Sequence, residues 1–125
     1  MTTNKENQPS ELNKAIGQRL AAAREAFLDV VGFIATQSKA DPNAAFAGSV
    51  PYLMLAGNLM AGWQMGRAAL VALSPQAQAQ DAEFMAAKIT TARFYADHIL
   101  TKASGLRDAI VDGARSVTAL PLEAF

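Results

Sequence analysis

Hydrophobic positions in the first third of the chain follow the spacing of one helix face. Their steps of four and three predict a long helix that ends near Ser38. We expect Ser10 to cap its first turn and the polar residues 1–9 to form a disordered tail. The positions that define this first stripe are Ile16, Leu20, Ala23, Phe27, Val30 and Ile34.

Two acidic residues mark the predicted starts of the next helices. Asp41 before Pro42 predicts a break and a restart, because aspartate caps free backbone amides and proline fits the first helical position. The second helix is predicted to reach Leu73, and Pro51 inside it leaves open either a short lead-in turn or a kink. Asp81 is the predicted cap of the third helix.

The third helix has the most regular pattern in the chain. Its apolar steps keep their phase through Gly105, which predicts one continuous helix with a break at Gly113 and a short turn after it. The whole pattern predicts an all-α fold, an antiparallel up-down bundle of three long helices plus a short C-terminal turn, in one domain over residues 10–125. The third stripe consists of Met85, Ile89, Ala92, Ala96, Ile99, Ala103, Leu106 and Ile110.

The second helix is apolar nearly all round, which a three-helix bundle cannot bury completely. If Trp63 and Leu70 face the other helices, several methionines point elsewhere. Two explanations stay open: the chain's own tail covers this excess surface, or the surface binds another protein. Methionine and aromatic residues are common at interfaces, which favours the second explanation. The candidate interface residues, including four on the third helix, are Met54, Met60, Met65, Arg93, Phe94, Leu100 and Arg107.

Composition narrows the function further. The 125 residues fit one domain, and eleven basic residues balance eleven acidic ones, so charge gives no reason to expect nucleic acid or an anionic membrane as a partner. The absence of cysteine excludes thiol catalysis and thiolate metal sites.

Residues 50–73 are long enough to cross a bilayer, but Asn58, Gln64 and Arg67 interrupt them and favour a buried helix. The polar N-terminus predicts a cytoplasmic protein.

Candidate chemistry is sparse. His98 is the single histidine, and no carboxylate lies one helical turn from it. The carboxylate pairs Glu25 with Asp29 and Asp108 with Asp112 are interpreted as solvated helix faces. No phosphate-binding glycine loop, nucleophile elbow or dinucleotide motif occurs. The sequence therefore predicts no catalytic, cofactor-binding or metal-binding residue in this chain.

Three blocks of the sequence resemble the C-terminal helical domain of large acyl-CoA dehydrogenases, of the 3-methylmercaptopropionyl-CoA dehydrogenase type. They are residues 52–57 (YLMLAG) leading into Gly62-Trp63, residues 87–96 (AKITTARFYA) and residues 116–125 (SVTALPLEAF). The resemblance spans most of residues 12–125. The family commonly has proline where Thr101 or Lys102 stands here, so the resemblance gives less reason to expect a kink there.

The resemblance implies that catalysis belongs to another part of the whole enzyme than the one this chain matches. Whole members of the family are flavoproteins that oxidise acyl-CoA thioesters, with a carboxylate base and FAD that belong to a preceding dehydrogenase core. No catalytic or FAD-binding residue is therefore carried over to this chain, and whether the chain alone is an enzyme stays open. The implied role is an accessory domain that docks on that core or pairs with itself. The alternative is a small acyl-chain or acyl-CoA binding protein, with a pocket between helices lined by Phe27, Phe33, Trp63 and Met65.

Overall fold

The computed structural model describes residues 8–125. Within them the chain forms seven α-helices, two 3-10 turns and no strand, which confirms the predicted all-α fold. The three long elements are α1, α3 and the pair α5–α6. The helices are α1 (Gln8–Ala40), α2 (Pro42–Ala47), α3 (Ser49–Ala72), α4 (Pro75–Gln80), α5 (Ala82–His98), α6 (Ala103–Val111) and α7 (Ala114–Val117), and the 3-10 turns span Leu100–Lys102 and Leu122–Ala124.

Local capping explains where several helices begin. The Ala44 amide donates to the Asp41 carboxylate at 3.4 Å, and the Phe84 amide donates to the Asp81 carboxylate at 3.0 Å, so both predicted caps are confirmed. The predicted cap at Ser10 is wrong, because α1 already includes Gln8. Residues 1–7 of the predicted tail lie outside the described residues.

The junction before α3 decides between the two interpretations of Pro51. Gly48 separates α2 from α3, and Pro51 lies in the first turn of α3, where its missing N–H removes no helical hydrogen bond. The lead-in turn is therefore confirmed and the kink is not formed. Gly48 also lets Ile110 of α6 approach the backbone closely, because a Cβ atom at this position would lie 2.9 Å from Cγ2 of Ile110.

The third long element is interrupted, contrary to the prediction of one continuous helix. Ile99 ends α5 with φ −106° and ψ −51°, and the Lys102 amide donates to the Ile99 carbonyl at 3.1 Å, which is the shorter bonding pattern of a 3-10 turn. The break forms without a proline, since Thr101 and Lys102 occupy the 3-10 turn. It turns Leu100 into the core, where this side chain is 3% exposed.

Contacts between the long elements are compatible with the predicted up-down-up arrangement. The Tyr95 hydroxyl, late in α5, donates to the Asn58 carbonyl, early in α3, at 2.9 Å. Phe84, early in α5, lines a groove with Met65, which lies later in α3. The core between the elements contains the three largest fully buried side chains, which are Val30, Leu55 and Ile110.

Candidate functional site

The inner face of α3 packs against both of its long neighbours. Leu55, Gly62 and Ala69 recur every seven residues and are all buried. A Cβ atom at Gly62 would lie 2.6 Å from a methyl carbon of Leu100, and one at Gly66 would lie 3.1 Å from a methyl carbon of Leu20. The two glycines therefore make room for leucine side chains from the third element and from α1.

This packing corrects the predicted orientation of the second helix. Of the residues considered as an inward stripe, Tyr52 and Leu59 pack against the core, whereas Trp63 and Leu70 are 49% and 59% exposed. Leu55, Gly62 and Ala69 point inward, and the two small residues allow neighbouring side chains to approach closely. Since α3 is apolar all round, its hydrophobic pattern could not fix its rotation.

The opposite side of α3 is an exposed apolar surface; among the described residues only its edge at Ala68 borders another element, at the groove with Phe84 and Lys88 of α5. Val50 and Leu53 near the start of α3 are 73% and 70% exposed, and Val71 near its end is 65% exposed. The sequence from Ser49 to Gly66 contains no Asp, Glu, Lys, Arg or His. We call this surface the outer face of α3 and define it by nine exposed residues: Val50, Leu53, Met54, Gly57, Met60, Ala61, Gln64, Ala68 and Val71.

The predicted interface residues are divided among several surfaces. Met54 and Met60 lie on the outer face of α3 and are both more than half exposed. Met65 is half-buried at the groove beside α5. The prediction for Leu100 is wrong. We expected this side chain on an exposed flank, but the 3-10 turn directs it into the core against Gly62. Only the two methionines therefore contribute to the outer face.

Phe94 and Arg93 lie on a separate exposed surface of α5. The Phe94 ring lies against the His98 ring with 4.4 Å between their centroids and 33° between their planes. The Arg93 guanidinium pairs with the Asp97 carboxylate at 2.9 Å, so it is already engaged within its own helix. No group of His, Cys, Asp or Glu side chains in the described part of the chain could hold a metal ion.

Arg107 is committed to contacts within the chain. Its guanidinium lies 2.8 Å from the Asp108 carboxylate and 3.3 Å from that of Asp112, and it reaches Asp29 of α1 at 3.5 Å. The hydrogen bond with Asp108 raises the pKa of Arg107, and the nearby charges of Asp112 and Asp29 act in the same direction. Three of the four carboxylates interpreted as solvated are exposed as predicted, and in addition they contact this arginine, which links α6 to α1 through Asp29.

The four residues of the predicted acyl pocket do not converge. The Phe27 ring stacks on Tyr52 at 5.8 Å, while Phe33 lines a groove near α7. Trp63 lines a groove of about 180 Å³ beside α1, and Met65 lines another of about 250 Å³ beside α5. Both volumes lie below the range of roughly 300–1,000 Å³ that is typical of small-molecule sites. The groove at Phe33 is larger, about 660 Å³, but the charged residues Asp41, Asp112 and Arg115 line it, which does not suit an acyl chain.

Comparison with known proteins identifies the family. The family model "Acetyl-CoA dehydrogenase C-terminal like" matches residues 2–121. The chain belongs to this family. Its similarity to a curated member, 3-methylmercaptopropionyl-CoA dehydrogenase of Ruegeria pomeroyi, is 46% identity over 102 residues. The match covers 82% of this chain and 17% of that enzyme, so the chain spans about a sixth of its relative's length. No solved structure matches the chain.

Membership in the acetyl-CoA dehydrogenase C-terminal family confirms the resemblance that the three sequence blocks indicate. None of the helices among the described residues combines the length and the hydropathy that a membrane span requires. Sequence reasoning missed Val50, Leu53 and Gly57 on the outer face. Their spacing of three and four would have revealed the face if Gly62 had been taken as the inward position.

Proposed function

We propose that the chain acts as a non-catalytic accessory domain of an acyl-CoA dehydrogenase and docks on the dehydrogenase body through the outer face of α3. The dehydrogenase body is here the part of the Ruegeria enzyme outside the matched 102 residues. The observation that carries the proposal is the exposed, uncharged outer face, which continues along the whole of α3. Contiguous apolar surfaces of this kind mark interaction sites.

The energetics favour such a docking. Complete burial of one large apolar side chain contributes about 1.5–3 kcal/mol relative to leaving it in water. The outer face presents five such side chains that are more than half exposed, which are Val50, Leu53, Met54, Met60 and Val71. In the relative the matching region shares a chain with the body, and such a covalent link lowers the entropic cost of association.

The same proposal assigns no chemistry to this chain. In the described part no residue cluster could hold a metal, and the grooves beside Trp63 and Met65 are small and open. FAD and the catalytic base of full-length members are proposed to belong to the dehydrogenase body. We propose a cytoplasmic location, with a dehydrogenase body and no nucleic acid or membrane as partner; the balanced charge gives no electrostatic attraction to nucleic acid or an anionic membrane.

A hybrid enzyme tests the proposal. In this hybrid, residues 2–121 of the chain replace the matched C-terminal part of the Ruegeria enzyme, and calorimetry follows thermal unfolding. We expect the domain to unfold together with the body, at a higher temperature than the isolated chain, because docking stabilises it. In the hybrid carrying Met60→Glu, the domain should unfold separately and at the lower temperature of the isolated variant, because the new carboxylate would be buried without a partner.

Ala86→Glu is the matched control. Ala86 is exposed on α5, away from α3, so this variant adds the same charge without touching the outer face. Direct mixing of the full chain with the Ruegeria body gives a second measurement, by sedimentation. If the domain unfolds independently in the hybrid and also fails to bind the body in solution, the docking function is wrong.

A further inference from the structure

The sulfur of this chain lies in methionine side chains alone. The sequence has no cysteine and five methionines, so a peroxide that reaches the chain finds thioether sulfur and no competing thiol. Four of the methionines lie among the described residues, and they are Met54, Met60, Met65 and Met85. Because all four carry the same chemical group, their surroundings decide which of them reacts first.

These four methionines differ in their exposure to water. Met54 and Met60 lie on the outer face of α3 and are 53% and 58% exposed. Met65 is half-buried at the groove that it lines with Phe84, and Met85 is half-buried in α5. Since the sulfur atom has to meet the oxidant in solution, the exposed pair should react before the half-buried pair.

Oxidation of the exposed pair changes the chemical character of the outer face of α3. The sequence from Ser49 to Gly66 contains no Asp, Glu, Lys, Arg or His, and Gln64 supplies the single polar side chain of this face. Oxidation converts the flexible apolar methionine side chain into a polar sulfoxide. Two sulfoxides, six positions apart along the helix, would therefore place polar groups in the middle of an apolar surface.

We propose that Met54 and Met60 form an oxidation site for a peroxide, and that their oxidation makes the outer face of α3 polar. In each event a sulfur lone pair attacks one peroxide oxygen, the O–O bond breaks and an S=O bond forms. The sulfur loses two electrons, the peroxide gains them, and hydrogen peroxide leaves as water. Resting on the proposed function, this oxidation weakens docking on the dehydrogenase body, because burial takes the sulfoxide oxygens out of water.

Timed oxidation of the full chain tests the site itself. The chain is treated with dilute hydrogen peroxide, and tandem mass spectrometry of its peptides measures the gain of one oxygen at each methionine. We expect Met54 and Met60 to react about threefold faster or more than Met65 and Met85. Circular dichroism should stay unchanged, since the exposed pair lies outside the buried core. Equal rates at the four positions, or unfolding at this dose, would overturn the site.

Binding after oxidation tests the consequence for docking. The peroxide is removed, and sedimentation measures the affinity of the oxidised chain for the untreated Ruegeria body. We expect this affinity to fall by about tenfold. The double variant Met54→Leu with Met60→Leu has no sulfur at the site, so peroxide should not change its own starting affinity. Met65→Leu with Met85→Leu is the matched control and should respond to peroxide as the original chain does.

The binding experiment has three outcomes that count against the proposal. If the oxidised and untreated chains bind the body equally, oxidation does not control docking. If Met54→Leu with Met60→Leu loses as much affinity as the original chain, another residue carries the effect and the assignment is wrong. If the untreated chain fails to bind the body, the proposed function fails and its control by peroxide fails with it, whereas the oxidation rates still decide the site.

Discussion

The inner and outer faces of α3 carry similar apolar side chains but have different surroundings. On the inner face Leu55 is fully buried and Gly62 receives Leu100. On the outer face Leu53 is 70% exposed, and a Cβ atom at Gly57 would meet nothing within 4 Å. Composition therefore does not distinguish the two faces. The difference teaches that the contacts around a residue, more than its hydrophobicity, decide whether it stabilises this fold.

The largest expected effect compares two leucines that are two positions apart in α3. Leu55→Ala should lower the free energy of unfolding by about 2–5 kcal/mol, because it removes buried contacts and leaves a cavity. Leu53→Ala should change it by less than about 0.5 kcal/mol in the isolated chain, since that side chain is mostly in water. Urea unfolding followed by circular dichroism measures both. Equal losses would mean that the outer face is covered in solution.

A smaller effect compares the two glycines. Gly62→Ala should be less stable than Gly57→Ala by about 1–3 kcal/mol, because its Cβ would lie 2.6 Å from a methyl carbon of the buried Leu100. Both replacements favour the helix by the same amount. The difference between their free energies of unfolding therefore measures the packing cost at Gly62. The same urea experiment measures it.

The Leu100→Ala background provides the control for this pair. Without the leucine side chain, the added methyl group at Gly62 has room, and the difference between the two glycine variants should disappear. Persistence of the difference in that background would show that the cost at Gly62 does not come from Leu100.

Much of the fold could be predicted because its signals are local. Asp41 and Asp81 cap helices through backbone amides three residues away, and each is followed by a helix that its own sequence favours. The stripes of α1 and of the third element are one-sided, so their buried positions, such as Val30 and Ile110, follow from spacing alone.

The candidate site was less predictable because α3 has no polar side to orient it. Its rotation depends on Gly62 and Gly66, whose role appears only when Leu100 and Leu20 lie against them. The sequence has no proline that would predict the 3-10 turn that buries Leu100. These features depend on contacts between residues far apart in the chain, and the local pattern of a single sequence does not predict such contacts.

The smallest expected effect tests the hydrogen bond that joins α5 to the inner side of α3. Tyr95→Phe should lower the free energy of unfolding at neutral pH by about 0.5–1.5 kcal/mol, because the phenol no longer donates to the Asn58 carbonyl. Urea unfolding of both chains measures this loss, and an unchanged free energy would mean that the bond contributes nothing in solution.

The same phenol predicts a pH dependence. Burial raises the pKa of Tyr95 above its ordinary value of 10.0, so the folded chain keeps this proton at pH values where the unfolded chain has lost it. Its contribution to stability is fully present below about pH 10 and is lost as the pH rises further. The stability difference between the original chain and Tyr95→Phe should therefore shrink above that pH. A difference that stays constant up to alkaline unfolding would show that folding does not raise the pKa of Tyr95.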